Sequence, residues 1–292
     1  MSPFSRREFI KGSLAAGTLA GLSTVPLHAT ARTATERVTL GKSGMQVTRL
    51  AFGTGSNGGE VQAALGQQEF TRLVAYAYDH GIRFFETAEA YQTPAMLGEA
   101  LKPYPRDSYK LMTKVTTFHE GDPLQRFDQM RRTSQTEYFD IMLLHWQHTP
   151  DWVATSQRWQ DGILQAQSKK MILTRGASVH GLPALRQVPG NKWLEIAMIR
   201  MNHKGVRMDA ENYDTDGLGN VNEVVTHMKQ VHGQGMGVIS MKLIGQGTFN
   251  REDRQKAMRF AFRNAGVDCV TVGYKSTAEI DEAIDNVNMA FA

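Results

Sequence analysis

Only one cysteine, Cys269, occurs in the 292-residue chain. Without a second thiol there is no intrachain disulfide and no multi-thiolate metal site, which excludes a disulfide scaffold and a thiolate metal module. Neither sign of charge predominates, with 33 Lys and Arg against 29 Asp and Glu. Part of that small excess sits at the N-terminus, where Arg6, Arg7 and Lys11 face only Glu8. No long basic stripe remains for a nucleic acid. The G-x-S-x-G elbow of α/β-hydrolases is missing, and no linker or composition shift divides the body. The weakly apolar stretch 12–25 is too short and too glycine-rich to span a bilayer easily. Methionine is abundant instead, at 15 residues, and reads as adaptable core filler.

What is present begins with an address. Ser5-Arg6-Arg7-Glu8-Phe9-Ile10-Lys11 carries an arginine pair, the apolar stretch follows, and His28-Ala29-Thr30-Ala31 offers small residues for cleavage after Ala29 or Ala31. Charged region, apolar region and processing site in that order make a secretory signal. The arginine pair makes it similar to a twin-arginine signal, read by a translocase that carries folded proteins to the periplasm. Residues 1–31 are therefore expected to be a signal peptide, without stable membrane insertion, and 32–292 the folded body. An exported fold that arrives already folded can carry a bound redox cofactor with it.

The body alternates short β-branched or aromatic runs with amphipathic segments. Strands are expected at 47–52, 82–85, 111–115, 140–144, 171–177, 194–201, 238–241 and 269–272. Helices are expected at 67–79, 95–101, 124–136, 152–168, 182–187, 221–232, 251–264 and 277–287. The first helix shows Phe70, Leu73, Val74 and Ala77 on one face, with Gly81 after it as a stop. Eight β/α units in roughly 260 residues favour a closed parallel (β/α)8 barrel in one domain over an open sheet.

Chemistry gathers at strand ends. Glu86 and Tyr91 follow strand two in Glu86-Thr87-Ala88-Glu89-Ala90-Tyr91, Lys114 ends strand three, and His145 ends strand four. In a barrel, residues at the C-terminal ends of strands share one mouth. An acid, a phenol, an amine and an imidazole there can protonate a carbonyl oxygen while a cofactor supplies hydride. A nearby ammonium favours phenolate, so Lys114 is expected to lower the Tyr91 pKa, with Glu86 holding the lysine and His145 orienting the substrate oxygen. Trp146 is expected to wall the substrate pocket.

Gly53-Thr54-Gly55-Ser56-Asn57-Gly58 matches G-x-G-x-x-G, but Glu86 lies too far on for the acidic residue of a dinucleotide fingerprint, and Gly58-Gly59 is a poor helix opening. The segment reads as a loop. Lys242 and the turn Gly245-Gln246-Gly247 can meet a pyrophosphate, and Gly273-Tyr274-Lys275-Ser276 opens a helix whose N-terminus favours phosphate.

At these residues the chain resembles the aldo/keto reductase family, over about 40–286. The family's tetrad is an Asp in a D-T-A-x-x-Y stretch, its Tyr, a strand-end Lys and a strand-end His. The resemblance implies a single barrel that reduces an aldehyde or ketone, or oxidises the alcohol, with NADP or else NAD. It implies Thr54 near the cofactor, Ser178 on the nicotinamide amide with His180 assisting, Met241 under the ring, and Lys275 and Ser276 at the adenosine phosphate. Several positions depart from the pattern. Glu86 replaces Asp, Val179 replaces Asn, no Gln stands near Met198, and Met241 replaces an aromatic residue. The Arg that often follows Lys275-Ser276 is missing, while Glu279 and Asp281 add negative charge. Two other classes share the residues: a non-catalytic exported barrel that binds a small carbonyl or sugar ligand, and a metal-assisted hydrolase built on His145 and His148.

Overall fold

The computed structural model describes residues 32–212 and 217–292. The expected signal peptide, 1–31, lies outside the described residues. Among the described residues the first strands form an antiparallel hairpin, β1 (Arg37–Leu40) and β2 (Met45–Thr48). Eight strands follow: β3 (Leu50–Gly53), β4 (Phe84–Glu86), β5 (Lys110–Thr116), β6 (Phe139–Gln147), β7 (Ile172–Val179), β8 (Ile196–Arg200), β9 (Gly237–Met241) and β10 (Cys269–Gly273). All pair in parallel and close as β10-β3-β4-β5-β6-β7-β8-β9, so this is the expected (β/α)8 barrel. The helices are α1 (Glu60–Ala63), α2 (Gly66–Asp79), α3 (Pro94–Leu101), α4 (Pro123–Thr133), α5 (Trp152–Thr155), α6 (Gln157–Ser168), α7 (Leu182–Leu185), α8 (Val221–Gly233), α9 (Arg251–Asn264) and α10 (Thr277–Phe291). Among the described residues no helix is long and apolar enough to cross a membrane.

Helix–sheet packing follows the amphipathic pattern. Phe70, Leu73, Val74 and Ala77 of α2 are all fully buried. Each large side chain placed this way contributes about 1.5–3 kcal/mol of transfer free energy. Two apolar clusters result. The larger lies between strands and helices. The smaller fills the barrel bore with alternate strand residues, among them Ala51, Phe84, Met112, Ile141, Leu143, Met198 and Ile239. Alternation along each strand therefore fixes which residues face inward.

Two expectations need correction. The strand expected at 47–52 is two elements, with the chain turning at Arg49 from the hairpin into the barrel. Arg49 is held there by Glu36 at 3.0 Å and by the Phe291 ring, whose centroid is 4.6 Å from the guanidinium carbon. The hairpin itself went unforeseen because β1 is mostly exposed. Its Leu40 and the Val47 of β2 plug the lower end of the bore beside Ala51 and Cys269. The helix expected at 152–168 is α5 and α6, which break at Ser156.

Candidate active site

The inward parity places Gly53, Glu86, Lys114, His145, Ser178, Arg200, Met241 and Gly273 at or near the C-terminal ends of their strands. Register brings neighbours level: Gly53 with Glu86, Arg200 with Met241, and Gly273 with Gly53. Lys114 is fully buried and Glu86 nearly so. The Lys114 ammonium has three donors and finds three acceptors. They are Glu86 Oε1, the Thr87 carbonyl at 3.0 Å and Tyr91 Oη at 3.1 Å. Tyr91 thus accepts from Lys114 and keeps its own proton for a different acceptor. The second Glu86 oxygen takes a 3.5 Å contact from Thr271 Oγ1. The added methylene of Glu86, relative to the family's Asp, is accommodated with the lysine pair formed. Glu89 points its charge elsewhere, pairing with Arg126 and with His119 at 2.9 Å.

His145 completes the group. Its ring meets the Tyr91 ring edge to face, centroids 5.6 Å apart, and lies 6.4 Å from the His180 ring. Burial, helped by Lys114 and Lys242, holds the His145 imidazole well below its ordinary pKa, so it is neutral at pH 7. Its Nδ1 is buried with no hydrogen-bond partner among the described residues. His180 is depressed in the same way by burial and then by Arg200. Ser178 is fully buried, with Oγ 3.4 Å from His180 Nε2 and 3.9 Å from Met241 Sδ.

The expected depression of Tyr91 is not what the site produces. Burial raises the phenol pKa, Lys114 pulls against it, and Glu86 pushes the same way as burial, so the net direction is up. On Lys114, burial opposes the charge, but Glu86 and Tyr91 outweigh it and hold the ammonium above the usual lysine value. At neutral pH the pair is a protonated phenol beside an ammonium. That is a proton donor rather than a standing phenolate.

From Tyr91 and Glu86 a cleft of about 340 Å³ runs past Met241 and Lys242 to Gly247, then along Gly273 and Lys275 to Glu279 on α10. Gly55 lies against the phenol. A Cβ there would stand 2.3–2.5 Å from Tyr91 ring atoms, so any side chain at position 55 displaces the ring. Gly273 lets the loop after β3 close over β10, since a Cβ there would meet Ser56 Oγ at 2.2 Å.

The remaining expected residues divide. Thr54 is fully buried between the cleft-lining Gly53 and Gly55, and its hydroxyl is bonded to Thr93 Oγ1 at 2.8 Å, which ties the loop after β3 to the loop after β4. Ser276 is used as the N-cap of α10, accepting from the Glu279 amide. The Glu279 carboxylate in turn accepts the Lys275 amide at 2.8 Å, so the backbone donor expected for a phosphate is already engaged. Trp146 sits in a β6 bulge with φ of 56° and is 37% exposed. Its ring meets Phe118 and His148 at centroid distances of 5.8 and 4.8 Å, at the rim beside His145. A bulky residue in the left-handed region is strained, and bulges of this kind re-aim side chains near active sites.

Sequence reasoning missed Arg200 and Asp209. Arg200 Nε bonds Asp209 Oδ1 at 2.6 Å, and the same oxygen accepts the Gly181 amide at 2.6 Å, tying the loop after β8 to the end of β7. Arg200 was findable, because it lies two residues past Met198 on the inward parity. Thr271 was findable in the same way from Cys269.

The aldo/keto reductase family model matches residues 49–261, most of the described body. The chain belongs to the aldo/keto reductase family. It is 31% identical over 128 residues to a probable aldo-keto reductase 1 of Glycine max, which covers 39% of this chain and 36% of that protein. The curated relatives are matched over only 34% to 66% of their own length. A solved putative aldo-keto reductase from Pseudomonas aeruginosa superposes with a TM-score of 0.71 at 18% identity, covering 89% of this chain and 98% of that one. An aldo-keto reductase from Klebsiella pneumoniae, solved in complex with NADPH, has a TM-score of 0.63 at 18% identity, covering 87% and 89%. At such identities the structural likeness speaks for the fold.

Proposed function

We propose that this family member is a nicotinamide-dependent oxidoreductase that reduces a small aldehyde or ketone, or oxidises the alcohol, with Tyr91 as general acid. The observation that carries this is Lys114, whose ammonium joins Glu86 to the Tyr91 oxygen at the inner end of the cleft. A barrel that only bound a ligand would have no use for a buried charge pair aimed at a phenol. The Lys114 charge stabilises the oxygen as Tyr91 gives up its proton. Neutral His145 donates a ring N–H to the carbonyl oxygen and orients it toward Tyr91, and Trp146 and Phe118 form an apolar rim for the substrate. A bound nicotinamide supplies the hydride.

The residues fit such a cofactor. Ser178, His180 and Met241 would hold the nicotinamide end. Lys242 would serve the phosphates: it is half-buried, has no ion pair among the described residues, and burial, with Arg200, Lys114 and Arg207 nearby, lowers its pKa to about 8 against the pull of Glu86. Such an amine calls for an anion. NADP is the assignment supported by the ligand of the Klebsiella pneumoniae relative.

Consumption of NADPH on adding small aldehydes tests the activity, and a pH series of NADPH titrations tests the site. Lys242 is charged below its folded pKa, so affinity is expected to hold below about pH 8 and to weaken as pH rises through it. Lys242→Met should flatten that dependence. A wild-type affinity that is level from about one pH unit below that transition to about one unit above it removes Lys242 from the cofactor site.

We also propose export by the twin-arginine route, supported by Arg6-Arg7 and the small residues at 29–31. Cell fractionation of a double variant, Arg6→Lys with Arg7→Lys, should find the protein retained in the cytoplasm. Undiminished recovery from the periplasm would overturn the route.

A further inference from the structure

The far end of the cleft carries two ion pairs whose carboxylates lie one turn apart on α10. Arg254 of α9 grips Glu282 of α10 bidentately, at 2.7 and 2.9 Å. It also donates to the Phe249 carbonyl at 2.7 Å. Arg254 holds the Glu282 carboxyl below the usual carboxylate range, so that pair is fully ionised at pH 7. One turn earlier on α10, Glu279 accepts the Lys275 amide at 2.8 Å and stands 4.0 Å from the Lys275 ammonium. All four side chains line the cleft that begins at Tyr91. Arg254 is thus committed to a carboxylate of the same chain, Lys275 has a second carboxylate 4.0 Å away, and Glu279 takes the backbone amide just ahead of the α10 N-cap that an arriving phosphate would want.

This arrangement suits one form of adenosine ribose better than the family's tetrad alone would suggest. A ribose 2′-hydroxyl is a donor and can give its proton to a carboxylate, the role an acidic residue plays for NAD in other dinucleotide folds, where an arginine accommodates the 2′-phosphate of NADP. A 2′-phosphate brings nearly two negative charges and no proton to give. At Lys275 it meets the charge of Glu279 4.0 Å away, and to recruit Arg254 it must break a bidentate pair.

We propose that Glu279, backed by the Arg254–Glu282 pair, is a specificity-determining residue that removes most of the advantage of a 2′-phosphorylated cofactor, so that the chain accepts NADP and NAD with similar affinity. The proposal rests on the reductase function above and concerns only the adenosine end of its cofactor.

Calorimetric titration of NADPH, NADH and the fragments 2′,5′-ADP and 5′-ADP into the wild type and two variants tests it. Glu279→Gln keeps an oxygen for the Lys275 amide and so keeps the helix cap, but removes the charge. It should tighten NADPH and 2′,5′-ADP by roughly two- to fivefold, the upper range for one partly exposed charge, and leave NADH and 5′-ADP about where they were. Glu279→Asp keeps the charge and should keep the wild-type ratio. If Glu279→Gln leaves the ratio of NADPH to NADH affinity where the wild type has it, the residue does not discriminate and the proposal is overturned. A wild type that binds NADPH far more tightly than NADH overturns it as well. If no dinucleotide binds the wild type or either variant, the reductase function itself fails, an outcome distinct from an unchanged ratio.

Discussion

Replacing Tyr91 by Phe is expected to lower carbonyl reduction by about 10²- to 10⁴-fold, the contribution of one positioned proton donor. The ring, its edge-to-face contact with His145 and the Gly55 floor all remain, so NADPH binding should change little. The variant loses only the oxygen that Lys114 contacts at 3.1 Å. The loss should therefore fall on kcat, because an interaction made in the transition state has been removed. The raised phenol pKa adds a signature in the wild type. Reduction needs the protonated phenol, which predominates at and well above pH 7, so the reduction rate should stay level through neutral pH. Alcohol oxidation needs a proton acceptor at the same oxygen and should climb with pH. Near-normal turnover in Tyr91→Phe, with single-turnover kinetics showing chemistry as the slow step, would remove Tyr91 from the acid role and pass that role to His145.

Much of this site was legible because it follows from two periodicities. Alternation along the strands set the inward parity, and the β/α repeat set the common mouth, so Glu86, Tyr91, Lys114 and His145 met as their spacing implied. Helix α9 even begins and ends where its pattern does, at Arg251 and Asn264. What failed had competing causes that a linear pattern does not carry. Arg49 looks like an interruption within one strand, and only its pairing with Glu36 and Phe291 shows a turn between two sheets. The Tyr91 pKa moved opposite to expectation because its neighbour's charge could be read from the chain and its degree of burial could not. The pairing of Arg254 with Glu282 joins two helices and has no local signal at all.

The second large effect is expected on stability, from Glu86→Gln. The substitution keeps the shape of the side chain and removes the charge that does most to keep buried Lys114 protonated. Breaking a buried pair by neutralising one partner costs about 3–5 kcal/mol, because the other charge stays buried without compensation. The pH dependence should separate this cause from a packing defect. In the wild type the folded pKa of Lys114 lies above its ordinary value, so the pair's contribution is fully present below that ordinary value and is lost as pH rises through the folded one. In Glu86→Gln burial is the larger influence, and the folded pKa drops below the unfolded one. The unfolded chain then binds the extra proton, so the variant should gain stability as pH rises while the wild type loses it in the alkaline range. Urea unfolding across that range reads both slopes. Glu86→Asp, which restores the family's residue and keeps the charge, should retain the sign of the wild-type slope even if its shorter reach weakens the contact. Parallel pH slopes for Glu86→Gln and the wild type would mean that Lys114 does not depend on Glu86 for its charge, and the proton donor at Tyr91 would then need a different electrostatic support.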